Sequence, residues 1–283
     1  MDIPTGAREG TVAGAGVELR YLEWGEAKNP ALVLLHGFMS HARTWDTFSG
    51  AAAARFHVIA LDQRGHGNSG WPQEPDYAPE HYAADLEAAI EALRLAPAVL
   101  VGHSMGGRTA AISAAAHPER VSKLVIVDTP PEPSPLLQQM RAEALRNPPP
   151  ENPQHPRFTT VEEVVTSAMA EYPLTPEPLL RHATRHNLKR LPNGTYTWKH
   201  DPRLFHSFLR AKQFDLYAEL AKLRCPTLLV RGSESPMLSE DWARKMVSCT
   251  PRCTYVVIQG AAHDVCMCQP DAFNREVLKF LAG

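Results

Sequence analysis

The sequence predicts an α/β protein built on a mostly parallel sheet with helices on both faces. Short β-rich runs alternate with helical patterns, which is typical of a sheet whose parallel strands are joined by helices. Several of the runs are apolar throughout, as strands buried on both faces are. The length of 283 residues, with 44% hydrophobic and 21% charged residues, suits a single large globular core.

Seven runs are predicted to be strands: "VELRYLEW" (17–24), "ALVLL" (31–35), "HVIAL" (57–61), "AVLVG" (98–102), "KLVIVD" (123–128), "TLLVR" (227–231) and "TYVVI" (254–258). No helical pattern separates the first run from the second, so we expect the first to belong to an antiparallel edge hairpin. Helical spacing marks residues 79–94 and 105–121. The second of these is rich in small residues, which permit close packing on a sheet.

The alternation stops after residue 128, and this predicts an insertion. The segment opens with "TPPEPSPLL" and contains "NPPPENPQHP" (147–156), a proline cluster that neither a helix nor a central strand can hold. Helical patterns follow at 161–172 and 178–190. We therefore predict a core formed by 1–128 and 224–283, with a helical lid at 129–223 over the end of the sheet where ligands bind in such folds.

The overall charge argues against two classes of partner. The chain carries 29 basic and 31 acidic residues, a net charge of −2, and has no basic tail or stripe that could neutralise phosphates. We expect no nucleic acid or membrane partner, and a small, uncharged molecule as substrate. No apolar run approaches the roughly 20 residues of a membrane span, and the first residues lack signal-peptide features, so a cytoplasmic location is predicted. The sequence leaves the oligomeric state open.

Five cysteines fall in the last quarter of the chain, at positions 225, 249, 253, 266 and 268. Without a signal peptide we expect reduced thiols within the core rather than disulfides. The spacings C-x3-C and C-x-C do not match the loops usual for structural zinc.

The strongest catalytic motif is Gly102-His103-Ser104-Met105-Gly106 in "VLVGHSMGGRTAA" (99–111). It fits G-x-S-x-G between a predicted strand and a predicted helix, the context of a nucleophile elbow. Glycines are needed because the turn is tight, and the strained backbone lifts the serine hydroxyl out of the sheet. We predict that Ser104 is a nucleophile.

An oxyanion hole is predicted from two backbone amides. The His-Gly pair in "LVLLHGFMSHARTW" (32–45) follows a buried strand and lets the next amide approach a ligand. The N–H groups of Phe38 and Met105 are the expected donors, each worth about 2.7 to 4 kcal/mol of transition-state stabilisation. We interpret His36 as a histidine that positions the loop. The glycine-rich "ALDQRGHGNSG" (60–70) lacks the spacing of nucleotide-binding loops and is interpreted as structural.

His263, in "VIQGAAHDVCMCQP" (257–270), is the predicted general base. Serine needs a base within hydrogen-bond reach at neutral pH, and imidazole has the matching pKa. Any of the 13 histidines could serve in principle. His263 is favoured because it follows the last predicted strand, in the serine, acid, histidine order of this elbow class.

Taken together, "LLHGF", "DQRGHGNS", "GHSMGG" and "GAAHD" resemble the α/β-hydrolase superfamily, in its lid-bearing, carboxylesterase-like serine hydrolase branch. The resemblance covers about 10–128 and 224–283. It implies the α/β-hydrolase fold, with an eight-stranded, mostly parallel sheet and a helical lid between the sixth and seventh strands. It also implies a nucleophile at Ser104 and a base at His263. Relatives that cleave haloalkanes and epoxides carry aspartate as nucleophile, so Ser104 argues against both activities.

The sequence departs from that pattern at the catalytic acid. Ser235 stands where most members carry the acid, and two carboxylates remain, Asp128 and Glu234. We favour Asp128, because an aspartate that closes a buried strand needs a partner for its charge and an imidazole N–H would provide one. Glu234 is the alternative acid, and a cap at the start of the lid is the alternative role for Asp128.

The expected activity is hydrolysis of a small carboxylic ester through a Ser-His-Asp triad and an acyl-enzyme, with no metal or organic cofactor. Lactone opening or carbon–carbon bond cleavage on the same triad, or a ligand-binding member without turnover, remain alternatives. On the lid, Arg181, Arg185 and Lys189 share one helical face, which we interpret as solvated rather than as a site for an acidic substrate. Four lid aromatics could either line the pocket or pack between lid and core: Trp198, Phe205, Phe208 and Phe214.

Overall fold

The computed structural model describes residues 3, 6–147, 150, 153–210 and 214–283. Its strands are β1 (Arg8–Ala13), β2 (Glu18–Trp24), β3 (Ala31–Leu35), β4 (His57–Leu61), β5 (Ala98–His103), β6 (Val121–Val127), β7 (Leu188–Arg190), β8 (Tyr196–Trp198), β9 (Thr227–Gly232) and β10 (Cys253–Ile258). Its helices are α1 (Asp46–Ala52), α2 (Pro79–Ala92), α3 (Met105–Ala116), α4 (Pro135–Arg146), α5 (Val161–Glu171), α6 (Glu177–Asn187), α7 (Leu204–Arg210), α8 (Leu216–Leu220), α9 (Glu240–Cys249), α10 (Val265–Cys268) and α11 (Pro270–Ala282). Among these residues, no helix has the length and apolar character needed to cross a membrane.

Eight strands form one sheet in the order β1-β2-β4-β3-β5-β6-β9-β10. β1 and β4 both pair antiparallel with β2, and the six strands from β4 to β10 are parallel. The predicted eight-stranded, mostly parallel sheet is confirmed, and β2 lies in the expected edge hairpin. Its partner β1 was not predicted, because only Val12 of its six residues is buried and the run carries no continuous apolar signal.

The sheet is buried on both faces, as the apolar strands predict. All five residues of β3 are buried, and successive residues point to opposite faces. Val33 joins a core cluster with Leu86 of α2, while Leu34 joins a second cluster with Phe273 of α11. These two layers of apolar side chains fix the sheet, so the loops at its carboxyl edge start from rigid positions.

Between β6 and β9 the chain forms α4 to α8 and a small hairpin. The prediction of helix through residue 190 is wrong at its end, since α6 stops at Asn187 and 188–190 pair antiparallel with 196–198. A Pro-Asn-Gly turn closes this hairpin, with Gly194 at φ +87°, a conformation that favours glycine. Helix α8 packs its Leu216 and Leu220 into the same core cluster as Val33.

The five cysteines are free thiols in the structure. Cys225, Cys266 and Cys268 are buried, and Cys249 and Cys253 are half-buried. Burial raises the pKa of the Cys266 thiol far above its usual value, so this sulfur is held as a thiol at neutral pH.

Candidate active site

Ser104 lies in the sharp turn between β5 and α3, with φ at +52° and ψ at −113°. A non-glycine residue at positive φ is strained, and such strain persists where surrounding structure holds it. Here the Ser104 N–H donates to Val127 O of β6 at 2.9 Å, and the Ser104 carbonyl accepts from the Gly107 N–H at 3.1 Å. The turn therefore holds the serine at the carboxyl edge of the sheet and at the N-terminus of α3.

The glycines of the motif are explained by close backbone approach. A Cβ at Gly102 would overlap the carbonyl oxygen of Gly106, and a Cβ at Gly106 would overlap that of Leu35 in β3. A Cβ at Gly107 would overlap the hydroxyl of Thr129. Helix α3 can therefore start this close to the sheet only because these positions carry no side chain.

The His263 and Asp128 side chains meet at the same edge. Asp128 follows β6 and is fully buried, and its Oδ2 lies 2.7 Å from Nδ1 of His263. Because a carboxylate accepts, Nδ1 carries the proton and donates, which leaves Nε2 of His263 with its lone pair free. The pair has the hydrogen bonding of an acid that orients a base.

The last residue of β9 and the loop that follows it hold the Asp128 carboxylate in place. The Gly232 N–H donates to Oδ1 at 3.1 Å, and the Ser235 hydroxyl donates to Oδ2. The Ser235 oxygen in turn accepts from the N–H groups of Met237 and Leu238, at 3.1 and 3.2 Å. Ser235, at the position where an acid is usual, therefore supports the carboxylate that β6 supplies, a role that the sequence did not reveal.

Glu234, the alternative acid, does not approach the histidine. Its side chain is exposed and accepts from the hydroxyl of its neighbour Ser233 at 3.1 Å. Its backbone N–H donates to Ala261 O, which ties the loop to the segment before His263. The structure thus brings Asp128, and not Glu234, to the imidazole.

The described residues contain no hydrogen bond between the Ser104 hydroxyl and His263. The two are nevertheless neighbours through His103, whose ring centroid lies 4.6 Å from that of His263 and whose Nε2 lies 2.9 Å from the His263 carbonyl oxygen. Contacts between a nucleophile and its base are often long without substrate and tighten in the complex.

Opposing effects set the protonation of His263. Burial lowers its pKa, but the hydrogen bond that Nδ1 donates to Asp128 and the charges of Asp264 and Asp128 raise it, and the net pKa lies above the usual value. Burial lowers the pKa of the adjacent His103 to about 4, so that ring is neutral at physiological pH. His263 is therefore a strengthened base beside an uncharged neighbour.

The two predicted oxyanion donors, the amides of Phe38 and Met105, belong to segments next to Ser104. A Cβ built on Gly37 would lie 3.5 Å from Cβ of Ser104, so the loop after β3 passes directly beside the serine. Phe38 and Met105 pack against the same cluster of Tyr77, Tyr82 and Leu204. The N–H groups of Phe38 and Met105 donate to no other group within the described residues.

His36 positions the loop, as the sequence indicated. It is buried, its Nε2 accepts from the Gln63 N–H at 3.0 Å, and its Nδ1 lies 2.7 Å from Gly37 O. Burial lowers its pKa to about 4. The buried Asp62 of the glycine-rich segment accepts from the Ala42 N–H at 2.7 Å, so that segment supports the rim of the site.

A pocket that opens to solvent lies beside Met105, and its empty space, with the open mouth included, is about 560 Å³. Aromatic side chains form much of its wall: Phe38, Tyr77, Tyr82, Phe208 and Phe214. Of the four aromatics singled out in the insertion, Phe208 and Phe214 thus line the pocket. Trp198 packs on Phe158, with ring centroids 5.5 Å apart, and Phe205 contacts His206.

The basic residues singled out at 181–189 do not line this pocket, and the prediction that they share one helical face is wrong, because Lys189 lies in β7, beyond the end of α6. Arg181 pairs with Glu162 and Glu177, and Lys189 lies 5.3 Å from the ring centre of Trp71. Arg108, one helical turn after Ser104, does line the pocket and was not singled out from the sequence. An arginine in a helix otherwise rich in small residues was the available signal. Within the described ranges, no group of three or more His, Cys, Asp or Glu side chains could hold a metal ion.

Residues 30–270 match a family model described as alpha/beta hydrolase fold. Among curated proteins, the chain is 29% identical over 258 residues to an esterase of Mycobacterium tuberculosis, covering 89% of this chain and 82% of that protein. It is 27% identical over 257 residues to 2-(acetamidomethylene)succinate hydrolase of Mesorhizobium japonicum, covering 90% and 89%.

Among solved structures, the chain is similar to E-2-(acetamidomethylene)succinate hydrolase, with a TM-score of 0.86 and 26% identity. The match covers 98% of this chain and all of that one. The sequence similarity to the two curated proteins covers about nine-tenths of this chain, and the structural similarity covers nearly all of it.

Proposed function

We propose that this chain, which belongs to the alpha/beta hydrolase family, is a serine hydrolase that cleaves a small carboxylic ester. Ser104 is the nucleophile, His263 the general base, and Asp128 the acid that orients the base. The amides of Phe38 and Met105 form the oxyanion hole. Hydrolase activity itself is supported by the relatives.

The observation that carries this proposal is the Asp128–His263 hydrogen bond of 2.7 Å beside a serine at φ +52°. With Nδ1 donating to Asp128, Nε2 of His263 accepts the Ser104 proton as Oγ attacks the ester carbonyl. The carbonyl oxygen becomes an oxyanion that two N–H groups stabilise. The imidazolium then protonates the leaving alcohol, and water activated by His263 releases the acid and regenerates Ser104.

Replacement of the nucleophile tests the proposal. Ser104→Ala is expected to lower kcat for p-nitrophenyl acetate or butyrate by roughly six orders of magnitude, because without Oγ no acyl-enzyme forms. A fluorophosphonate probe should label the wild-type protein at Ser104 and leave the variant unlabelled, as peptide mass spectrometry would show. Ser248 is an exposed serine on α9, and Ser248→Ala is the control. This variant should keep both the ester turnover and the fluorophosphonate labelling of the wild-type protein. Full ester turnover by Ser104→Ala would refute the assignment.

Other reactions on the same residues are distinguished by substrate. Lactone opening and cleavage of a carbon–carbon bond in a diketone need the same nucleophile and base. The residues alone do not separate these reactions, so substrates must. For an esterase, a panel of p-nitrophenyl esters, lactones and diketones should show the highest kcat/KM for one of the esters. A non-catalytic ligand-binding protein would show neither turnover nor labelling of Ser104.

We also propose that 129–223 acts as a lid. It supplies Phe208, Phe214 and Arg141 to the pocket, while Phe38, Tyr82 and Met105 come from the core. A location in the cytoplasm remains a prediction.

A further inference from the structure

Two arginines line the pocket whose wall includes Met105, the residue after Ser104. Arg108 lies one turn along α3 from Ser104, and its backbone N–H donates to the backbone carbonyl oxygen of Ser104 at 3.2 Å. Arg141 reaches the pocket from α4, and its guanidinium lies 5.5 Å from the ring centre of Phe208. One cation therefore belongs to the core and one to the proposed lid.

Neither guanidinium pairs with a carboxylate among the described residues. Other arginines do: Arg64 lies 2.6 Å from Asp85, and Arg203 lies 2.7 Å from Asp201. By contrast, Arg108 Nη2 donates only to Pro130 O, at 3.3 Å. The two guanidiniums thus keep most of their donors unused.

The unused donors include buried ones. The Nε groups of Arg108 and Arg141 are both out of contact with solvent and without a hydrogen-bond partner in the described part of the chain. Arg141 Nη2 donates to Phe208 O at 3.2 Å. Both arginines are half-buried. A partly desolvated charge without a partner is unfavourable, and an anionic partner would offset part of that penalty.

The charge of Arg141 also acts on Arg108. Burial, and then the charge of Arg141, lower the pKa of Arg108 to about 10, and burial lowers the pKa of Arg141. At neutral pH both stay protonated. A single carboxylate between them would offset both charges and could accept from both guanidiniums, the geometry for which arginine is suited.

We propose that the substrate carries a carboxylate, which binds Arg108 and Arg141 while its ester carbonyl lies at Ser104. The inference rests on the proposed function and narrows it to esters of dicarboxylic or hydroxycarboxylic acids. The aromatic wall contacts the hydrocarbon between the two groups. The whole-chain charge of −2, from which an uncharged substrate was expected, does not reveal this local pair of cations.

Matched ester pairs test the proposal on the intact chain. Mono-p-nitrophenyl adipate and its terminal-amide analogue place the anion on the acyl side, and 4-acetoxybenzoate and 4-acetoxybenzamide place it on the alcohol side. In at least one pair, the wild-type protein should show a kcat/KM about 10- to 100-fold higher for the carboxylate than for the amide, as charge-assisted hydrogen bonds give.

Variants assign the preference to the two residues. Arg108→Met with Arg141→Met removes the charges but keeps similar volume, and the carboxylate-to-amide ratio should fall to about one. Arg108→Lys with Arg141→Lys keeps the charges and should restore part of the ratio. Arg185→Met, an exposed lid arginine, is the matched control and should keep the wild-type ratio. Thermal unfolding shows whether each variant is folded.

Binding separates failure of this inference from failure of the proposed function. Calorimetry on the Ser104→Ala protein should show tighter binding of the carboxylate ester than of its amide, and loss of that difference when both arginines are methionine. Equal kcat/KM for both members of both pairs, with Ser104 labelled by fluorophosphonate, overturns the carboxylate inference and leaves the hydrolase intact. No turnover and no labelling overturn the hydrolase, and the calorimetric comparison then decides the anion site alone.

Discussion

Asp128 combines a strained backbone with a fully satisfied charge. Its φ of +44° lies in the left-handed region, where aspartate is among the few non-glycine residues that occur with any frequency. Its carboxylate accepts from the Gly232 N–H, the Ser235 hydroxyl and His263 Nδ1. A buried charge held by three donors keeps its orientation toward the imidazole, so the proposed acid and base are oriented without substrate.

Replacing each candidate acid in turn by its amide tests which of the two orients His263. Asp128→Asn keeps the shape and tolerates the backbone conformation, but its amide can donate to Nδ1 and favours the wrong imidazole tautomer. We expect kcat for a p-nitrophenyl ester to fall by about four orders of magnitude. Glu234→Gln, an exposed change in the adjoining loop, is the control. A large loss in Glu234→Gln with activity retained in Asp128→Asn would contradict the assignment.

The raised pKa of His263 predicts the pH dependence of the reaction. Only neutral imidazole can take the Ser104 proton, so activity is lost as pH falls through this pKa. The acidic limb of kcat/KM should therefore have its midpoint above about 6.5, the usual histidine value. Asp264 raises the pKa without hydrogen bonding to the ring, so Asp264→Asn should move the midpoint to lower pH with a small change in kcat. A limb that stays in place would exclude this electrostatic role.

At the level of single residues, the sequence identifies what belongs to a motif and misses what depends on distant contacts. Ser104 and His263 stand in recognisable local settings, and Asp128 closes an apolar strand. The support from Ser235 depends on β6 and β9 being neighbours, since the two residues are 107 positions apart. The place of Arg108 in the pocket wall likewise depends on α4 and α7, which supply Arg141 and Phe208 to the same pocket and which no local pattern brings there.

Among the elements, the turn between β5 and α3 has the least room for change. In Gly102→Ala the new methyl group would meet the Gly106 carbonyl, a backbone atom that cannot move without shifting the start of α3. The free energy of unfolding should fall by about 3 kcal/mol, near the upper end for overpacking. kcat should fall by about 100-fold as Ser104 is displaced.

Gly6→Ala is the matched control for that change, because nothing lies within 4 Å of a Cβ at Gly6. Urea unfolding and ester kinetics on both variants compare the two positions. Unchanged stability and turnover in Gly102→Ala would mean that the turn relaxes more readily than its contacts indicate.

The buried strands of the sheet were predictable, whereas the edge and the insertion were less so. A strand such as β3 is apolar at every position because both of its faces are covered, and that signal is local. β1 lies at the sheet edge and the β7–β8 hairpin lies outside the core, so both have mixed burial. Their formation depends on pairing with a neighbour, which residue periodicity does not report.

Five histidines are buried in neutral form at separate places in the molecule. His36, His41, His66, His103 and His200 are all at most 6% exposed. Burial lowers the pKa of each, to about 4 for the first, second and fourth and to about 3 for His66 and His200. In the unfolded chain they titrate near 6.5. Below that pH the unfolded state therefore binds protons that the folded state does not.

This difference predicts steep acid unfolding. Stability contributed by these groups is complete above about pH 6.5 and falls with pH towards 4, by up to about 1.4 kcal/mol per pH unit for each histidine. Urea unfolding between pH 7 and 5 measures the slope. His66→Phe removes one group that takes up a proton on unfolding, together with its buried, unpartnered Nε2. The slope of unfolding free energy against pH should therefore be lower than in the wild-type protein by about the contribution of one histidine. His81→Gln, with a side chain 45% exposed, should keep the wild-type slope. An unchanged slope in His66→Phe would show that His66 is not held neutral by burial.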